Sequence, residues 1–400
     1  MTRSNTSRKV LILLLSLIII FVFTIPCYSQ IRVRTEPRIP EIKGYVTLKC
    51  DFHMHTVFSD GNVWPPIRAG EAWLQGLDAF AITDHIEYQP HDKDVLKNHN
   101  RSFDLASGSA RSVNLIQIRG SEITRDMPPG HFNVIFIKDA NPLDTEDYRD
   151  ALKEAFNQGA FIFWNHPPFP NEKRISEWFP EHNEIFENGW MHGIEVVNGK
   201  SYYPEAHKWC LEKNLTMMGN SDVHNPINLD YDFNNGEHRP MTLVFAKRRT
   251  KDGIKEALFD RRTAVYHGNL LIGKAKYLKP IFYNSIEIKT PEITFRGKSG
   301  RSIQIKNNSD ISYELTADRE NEFISGPKTA VLYPGKTVIF RISSKSENLK
   351  GKKNISLSYI VKNLLIEPEK GLPVELKFKA IFIQIIIKNI KIRIQVSRAH

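Results

Sequence analysis

Between Tyr45 and about Lys274 the sequence alternates short apolar runs with amphipathic segments, and no other feature constrains the fold as strongly. YVTLKCDFH reads as a strand, and Pro65 and Pro66 then open the helix IRAGEAWLQG, because proline fits a first helical turn. AFAITDH, LIQIRGSEIT, HFNVIFI, AFIFWNHP, MHGIEVVNG, LTMMGNSDVH, MTLVFAK and TAVYHGN read as further strands. Helices are expected over DYRDALKEAFNQG, EAHKWCLEKN and DGIKEALFDRR. Such alternation over roughly 230 residues predicts a parallel α/β barrel, whose active site lies at the carboxyl ends of its strands.

From Leu278 the character changes. RSIQIKN, YELTAD, TAVLYPGKTVIFRIS, NISLSYIVKN and LPVELKF alternate in period two between turn residues, with no helical stripe. This predicts an all-β immunoglobulin-like sandwich over 278–379, packed closely on a barrel spanning 45–277. The polar, proline-containing stretch 30–44 reads as a linker. Residues 380–400 hold eight isoleucines and no acid, and both one more strand and a segment foreign to the fold stay open for them.

The N-terminus has a basic start, an apolar run from Val10 to Ile25, then Pro26 and small or polar residues. That is the layout of a signal peptide over 1–29, so the protein is expected to be exported, periplasmic or extracellular, without stable membrane insertion after cleavage. A retained membrane anchor and lipidation at Cys27 are the alternatives. The run is shorter than the roughly 20 residues of a spanning helix, and Pro26 suits a lipidation site poorly. Cys50 and Cys210 then remain, and they read as buried small residues, not a disulfide framework.

The net charge of +10 is mostly terminal: Arg3, Arg8 and Lys9 supply +3, and six cations after Glu375 supply +6, which leaves +1 for the stretch between. A near-neutral body argues against nucleic acid as a partner.

The chemistry is concentrated in CDFHMHTVFSDG, where His53 and His55, two apart in a strand, reach one side together. AITDH ends the next strand with Asp84 and His85, and GSEIT supplies Glu122. GHFN supplies His131, WNHP supplies His166, and GNSDVH supplies Asp222 and His224. Six of the fourteen histidines thus fall at strand ends beside carboxylates, as a multinuclear metal site requires.

These motifs, HxH, SDG, TDH, GSE, NHP and SDVH, resemble in type and order those of the PHP (polymerase and histidinol phosphatase) phosphoesterases, over about Tyr45 to Gly273. The resemblance implies a distorted seven-stranded barrel with two to three divalent ions, zinc, manganese or iron. Carried over by position, it implies that His53, His55, Glu122 and Asp222 hold one ion. Glu122 would bridge to a second ion held by His131 and His166, and Asp60, His85 and His224 would hold a third. Some family members have histidine where this chain has Asp60, which makes the third site richer in oxygen and leaves the metal open. Asp84 is expected to orient ligands, and Glu195 to serve in structural hydrogen bonding.

Divalent ions of this kind lower the pKa of a bound water and stabilise charge on phosphoryl oxygens. The expected activity is hydrolysis of a small phosphate ester by a metal-bound hydroxide, with Glu122 and Asp222 central to catalysis. No GxSxG motif or recognisable cysteine nucleophile competes. Arg125, Lys200 and Arg239 are candidates for gripping the substrate phosphate. Hydrolysis of another ester or an amide, and a metal-stabilised binding protein, are the alternatives.

Overall fold

The computed structural model describes residues 32–170 and 175–385; the expected signal peptide and residues 386–400 lie outside them. The first half of the chain contributes β1 (Val46–Asp51), β2 (Ala79–Ile82), β3 (Ile116–Ile123), β4 (Phe132–Ile135), β5 (Phe161–Trp164), β6 (Gly193–Asn198), β7 (Ser201–Tyr202), β8 (Thr216–Asn220), β9 (Met241–Ala246), β10 (Thr263–His267) and β11 (Leu270–Gly273). Helices α1 (Pro65–Leu74), α2 (Arg101–Ser112), α3 (Tyr148–Asn157), α4 (Pro180–Glu187), α5 (Pro204–Glu212), α6 (Ile227–Asp230) and α7 (Lys251–Phe259) connect them. β1, β2, β5, β8 and β9 are buried almost end to end, as expected of sheet covered on both faces.

The sheet runs β9-β1-β2-β3-β4-β5-β6-β8. It is mixed and not wholly parallel: β1, β2 and β3 are parallel, as are β5, β6 and β8, while β4 and β9 run against their neighbours. Eight residues, 124–131, separate β3 from β4, too few for the helical crossover that a parallel pair needs. The reversal has a use, because the start of β4 faces the same mouth as the ends of β1, β2, β3, β5 and β8. β8 is tied to β9 through the Thr242 hydroxyl, which accepts from Gly219 N and donates to Gly219 O, both at 2.9 Å. Glycine is required there: a Cβ would fall 2.2 Å from a Val265 methyl.

The second half is an immunoglobulin-like sandwich of β12 (Ile286–Ile288), β13 (Glu292–Arg296), β14 (Gly300–Asn307), β15 (Tyr313–Arg319), β16 (Ile324–Ser325), β17 (Thr329–Leu332), β18 (Thr337–Ser344), β19 (Gly351–Glu367) and β20 (Lys370–Ile383). β12-β14-β18-β16 form one layer, and β13, β20, β19, β15 and β17 form the other. The second layer continues the barrel sheet: past a bulge, Leu364 and Leu365 of β19 pair in parallel with Leu271 and Ile272 of β11. Helix α8 (Ala275–Ser285) joins the two halves and buries Tyr277, Leu278, Ile281 and Phe282 in an apolar cluster that extends from Phe80 and Phe245 to Tyr313 and Phe340.

Three sequence readings change. Position 278, read as the start of the all-β pattern, lies inside α8, which accommodates Pro280. The expected end of the sandwich at 379 is passed, because β20 runs to Ile383 with Ala380 and Phe382 buried. From Thr35 onward the expected linker is fastened down: Arg38 pairs with Asp310, and Thr35 N donates to Leu74 O. Among the described residues no helix is long and apolar enough to cross a membrane.

Candidate metal centre

The ladder of β1 ends at Asp51, and the chain then runs beside the segment that follows β8. Asp222 N donates to His53 O at 2.9 Å and His55 N to Val223 O at 3.0 Å, so the HxH and SDVH motifs lie side by side. Thr83 N donates to Met54 O, Glu122 N to Asp84 O, and Asn165 N to His131 O. Backbone hydrogen bonds therefore register every motif against its neighbour before any side chain is considered.

The nine side chains expected as ligands converge. His53 Nε2 and His55 Nε2 are 3.0 Å apart; each lies 3.2 Å from Glu122 Oε2 and 3.0 Å from Asp222 Oδ1. Two ligands held about 2.1 Å from one ion at roughly 90–110° are separated by about 3.0–3.4 Å, so this spacing is that of a coordination shell. The other oxygen of Glu122, Oε1, faces His131 Nδ1 at 2.9 Å and His166 Nε2 at 3.7 Å, so the carboxylate lies between two groups of histidines. Asp60 Oδ1 is 3.2 Å from His224 Nε2, 3.5 Å from His85 Nε2 and 3.6 Å from His55 Nδ1. The histidine and carboxylate atoms fall into four overlapping clusters compact enough for metal ions.

Chemistry and strain agree with cation binding. Asp60 Oδ1 and Asp222 Oδ1 are buried and make no hydrogen bond, a costly state for carboxylates that an ion would relieve. Asp222 and His166 also hold left-handed φ values of 53° and 23°, which side chains other than glycine rarely adopt. Burial works against charge on Glu122 and Asp222, yet His85 and His53 hold Glu122, and His53 and His55 hold Asp222, well below the ordinary carboxylate range. In turn, against the opposing effect of burial, Asp222, Glu195 and Glu122 push His53 well above its ordinary value, and Asp222 and Glu122 push His55 up to about 9. Protons on these imidazoles take the place that a divalent cation would fill, so the residues fit such an ion.

An outer layer orients the inner one. His53 Nδ1 donates to Glu195 Oε1 at 2.9 Å, which turns the Nε2 lone pair toward the centre. Glu195, fully buried, also accepts from His166 N, Asn198 Nδ2 and Asn220 Nδ2. Asp84 accepts from Thr56 N, Thr56 Oγ1 and Ser59 Oγ, and Ser59 Oγ is 3.3 Å from His55 Nδ1. It therefore acts on His55, not on its chain neighbour His85, whose Nδ1 meets Thr124 Oγ1 at 2.6 Å. Asn165 donates to Glu122 Oε1 and Asn198 to Asp222 Oδ2. Sequence reasoning gave these asparagines no role, although Asn165 opens the NHP motif and Asn198 and Asn220 stand at strand ends two residues from Lys200 and Asp222.

The three cations expected to grip a phosphate fare differently. Arg239 is a correction: it is fully buried, bonded to Asp51 Oδ2 at 2.9 Å and Gln75 Oε1 at 2.5 Å, and braces β1 from behind. Arg125 is committed to Glu87 and to the carbonyls of Thr124 and Thr145. Lys200 is exposed and paired with Glu237 at 3.0 Å. Cys50 and Cys210 are buried, and burial raises both thiols, so neither is primed as a nucleophile.

Fold and centre together define a two-domain barrel protein built to hold divalent metal ions. A model of an Ig-like domain family, DUF5001, matches residues 286–377. A two-domain protein from Bacteroides vulgatus containing a predicted PHP-like metal-dependent phosphoesterase is 47% identical, with a TM-score of 0.82, over 87% of this chain and 100% of that one. This chain therefore belongs to the family of two-domain proteins with a PHP-like metal-dependent phosphoesterase domain and a C-terminal Ig-like domain. A provisionally assigned metal-dependent phosphoesterase from Bifidobacterium adolescentis is 16% identical over 52% of this chain and 95% of its own, with a TM-score of 0.37. An amidohydrolase from Chromobacterium violaceum is 16% identical over 44% of this chain and 88% of its own, with a TM-score of 0.33. No curated protein matches the chain by sequence.

Proposed function

We propose that this chain hydrolyses a small phosphate ester, with His53, His55, Glu122 and Asp222 holding one divalent ion, Glu122, His131 and His166 a second, and Asp60, His85 and His224 a third. The observation that carries this reading is the convergence of nine histidine and carboxylate side chains, among them Asp60 and Asp222, each with a buried oxygen that has no hydrogen-bond partner. When bound, such ions supply Lewis-acid stabilisation of phosphoryl oxygens and activation of water. Glu122 fixes the separation of the two histidine groups by offering one oxygen to each. Glu195 keeps His53 in the tautomer that presents Nε2. His224, Asp60 and Asp222 are the most exposed members, with side chains 32%, 25% and 18% accessible, while His53, His55 and Glu122 are sealed. Substrate thus reaches the centre over the His224 and Asp60 edge, and the closed side excludes water.

The test is an assay of full-length protein reconstituted with manganese, iron or zinc against phosphomonoesters, phosphodiesters and carboxyl esters. Turnover confined to phosphate esters supports the reading. Turnover of carboxyl esters alone, or fewer than two bound ions per chain, overturns it.

A further inference from the structure

Arg68 lies on α1, outside the ligand set, and is completely buried. All five of its N–H groups are used. Nε donates to His55 O at 2.9 Å; one terminal nitrogen donates to Glu71 Oε2 and Asn225 O, both at 2.8 Å; the other donates to Val223 O at 2.9 Å and His224 O at 2.8 Å. Four of these acceptors are backbone carbonyls in the loops that follow β1 and β8, where the strand ladders have ended. Glu71 anchors the guanidinium and also accepts from Ile227 N, which holds the far end of the second loop.

Two of those carbonyls belong to His55 and His224. The rings of these residues stack at 4.2 Å between centroids and 14° between planes, and both present nitrogens to Asp60 Oδ1. Fixing both peptide planes on one rigid guanidinium fixes the separation of the two imidazoles. A planar five-donor fork can do this and an ammonium with three donors cannot.

We propose that Arg68 is a positioning residue for the centre formed by Asp60, His85 and His224, holding the loop that carries His224 against the loop of His55, a ligand of the neighbouring ion. This rests on the reading of the site given above. It goes further by naming a residue that touches neither ion nor substrate and by assigning it chiefly to the ion site that His224 serves.

The test counts manganese ions per chain in full-length protein by elemental analysis, with His224→Ala as the reference for loss of that ion. Arg68→Lys is expected to lose the same equivalent as His224→Ala, or to bind it at least tenfold more weakly, to weaken the ion that His55 shares with three other ligands to a smaller degree, and to hold the ion of His131 and His166 within threefold of the parent affinity. Glu71→Gln, which keeps the guanidinium but removes its anchoring charge, is expected to weaken the same ion to a smaller degree, and it decides the matter if Arg68→Lys does not fold. Retention of that ion at parent affinity in a folded variant overturns the proposal, as does uniform weakening of all ions, which marks a merely structural role. A parent protein that binds fewer than two ions instead locates the failure in the metal-centre reading. His224→Ala protein that keeps every ion of the parent overturns the Asp60 centre and this inference with it.

Discussion

The floor of the barrel mouth, at His53, His55 and Glu122, and the interior of the sandwich are equally sealed from water and filled with opposite chemistry. Ile303, Ile305, Leu315, Phe340 and Ile355 occupy the sandwich interior at 0–2% exposure, placed there by strict alternation along their strands. His53, His55 and Glu122 at the mouth are at 0% exposure and are all titratable. Apolar burial stabilises the first region directly. In the second, burial opposes the charges, so the arrangement persists through mutual pairing, an outer layer of amides and the bracing of Arg68 and Arg239. The sandwich can therefore lose a polar atom cheaply, and the mouth cannot.

The sharpest way to break this contrast is Glu122→Gln. It removes the charge that both histidine groups share, so kcat/KM on a phosphate ester should fall by about 10³ or more, with fewer bound ions. The matching change in the sandwich, Glu314→Gln, alters an exposed side chain that accepts from Asn269 and should leave both quantities unchanged. Kinetics beside elemental analysis of the two variants check this. A loss below tenfold for Glu122→Gln would mean that the mouth does not depend on the shared charge.

A second difference is in titration. The described part of the sandwich has no histidine, whereas the barrel buries His182 and His207 and half-buries His192, and desolvation pushes each down to about 4. His182 is held neutral, with Nδ1 accepting from Phe179 N and Nε2 donating to Pro129 O, and His192 Nδ1 accepts from Ile162 N. In the unfolded chain these rings take up protons from about pH 6.5. Between pH 6.5 and 4 the unfolded state therefore binds more protons than the folded one, and stability falls as the pH is lowered through that window. Acid unfolding followed by Trp164 and Trp178 fluorescence, which reports on the barrel, should show the loss in that window. Replacing His192 with Phe should flatten it. An unchanged acid profile would remove histidine titration from the difference between the two regions.

How far each region can be read from the sequence follows from the range of its interactions. The convergence of the nine side chains was legible because HxH, TDH, GSE and SDVH each place their residues at one strand end, and strand ends are local features. The sandwich strands were legible from period two. What escaped is nonlocal or masked by one residue. Pro280 hides α8, whose buried Tyr277, Leu278, Ile281, Phe282 and Ser285 form a helical stripe around it. Leu271 and Leu364, paired across the two halves, carry no mark of each other. Arg239, read as a phosphate-gripping cation, and Arg68 carry no mark of the partners, brought from elsewhere in the chain, to which each is committed.

The smallest expected effect tests whether the two regions are energetically separate despite their shared sheet. Tyr313, fully buried in the sandwich, sets its hydroxyl 2.6 Å from Ser285 Oγ at the end of α8 and 3.4 Å from Ser309 Oγ. Tyr313→Phe removes that link and leaves the neighbours provided for, since Ser285 Oγ still donates to Ile281 O and Ser309 Oγ to Asn307 Oδ1. The ring keeps its edge contact with Phe282. The change should therefore cost about 1 kcal/mol of stability, the net value of one hydrogen bond without a stranded partner, read as a lower denaturant midpoint. Ion count and kcat should stay at parent values, because every ligand strand is registered by backbone bonds within the barrel. A Tyr313→Phe protein with parent stability and altered kcat would show instead that α8 transmits the state of the sandwich to the centre, and the two regions would have to be treated as one.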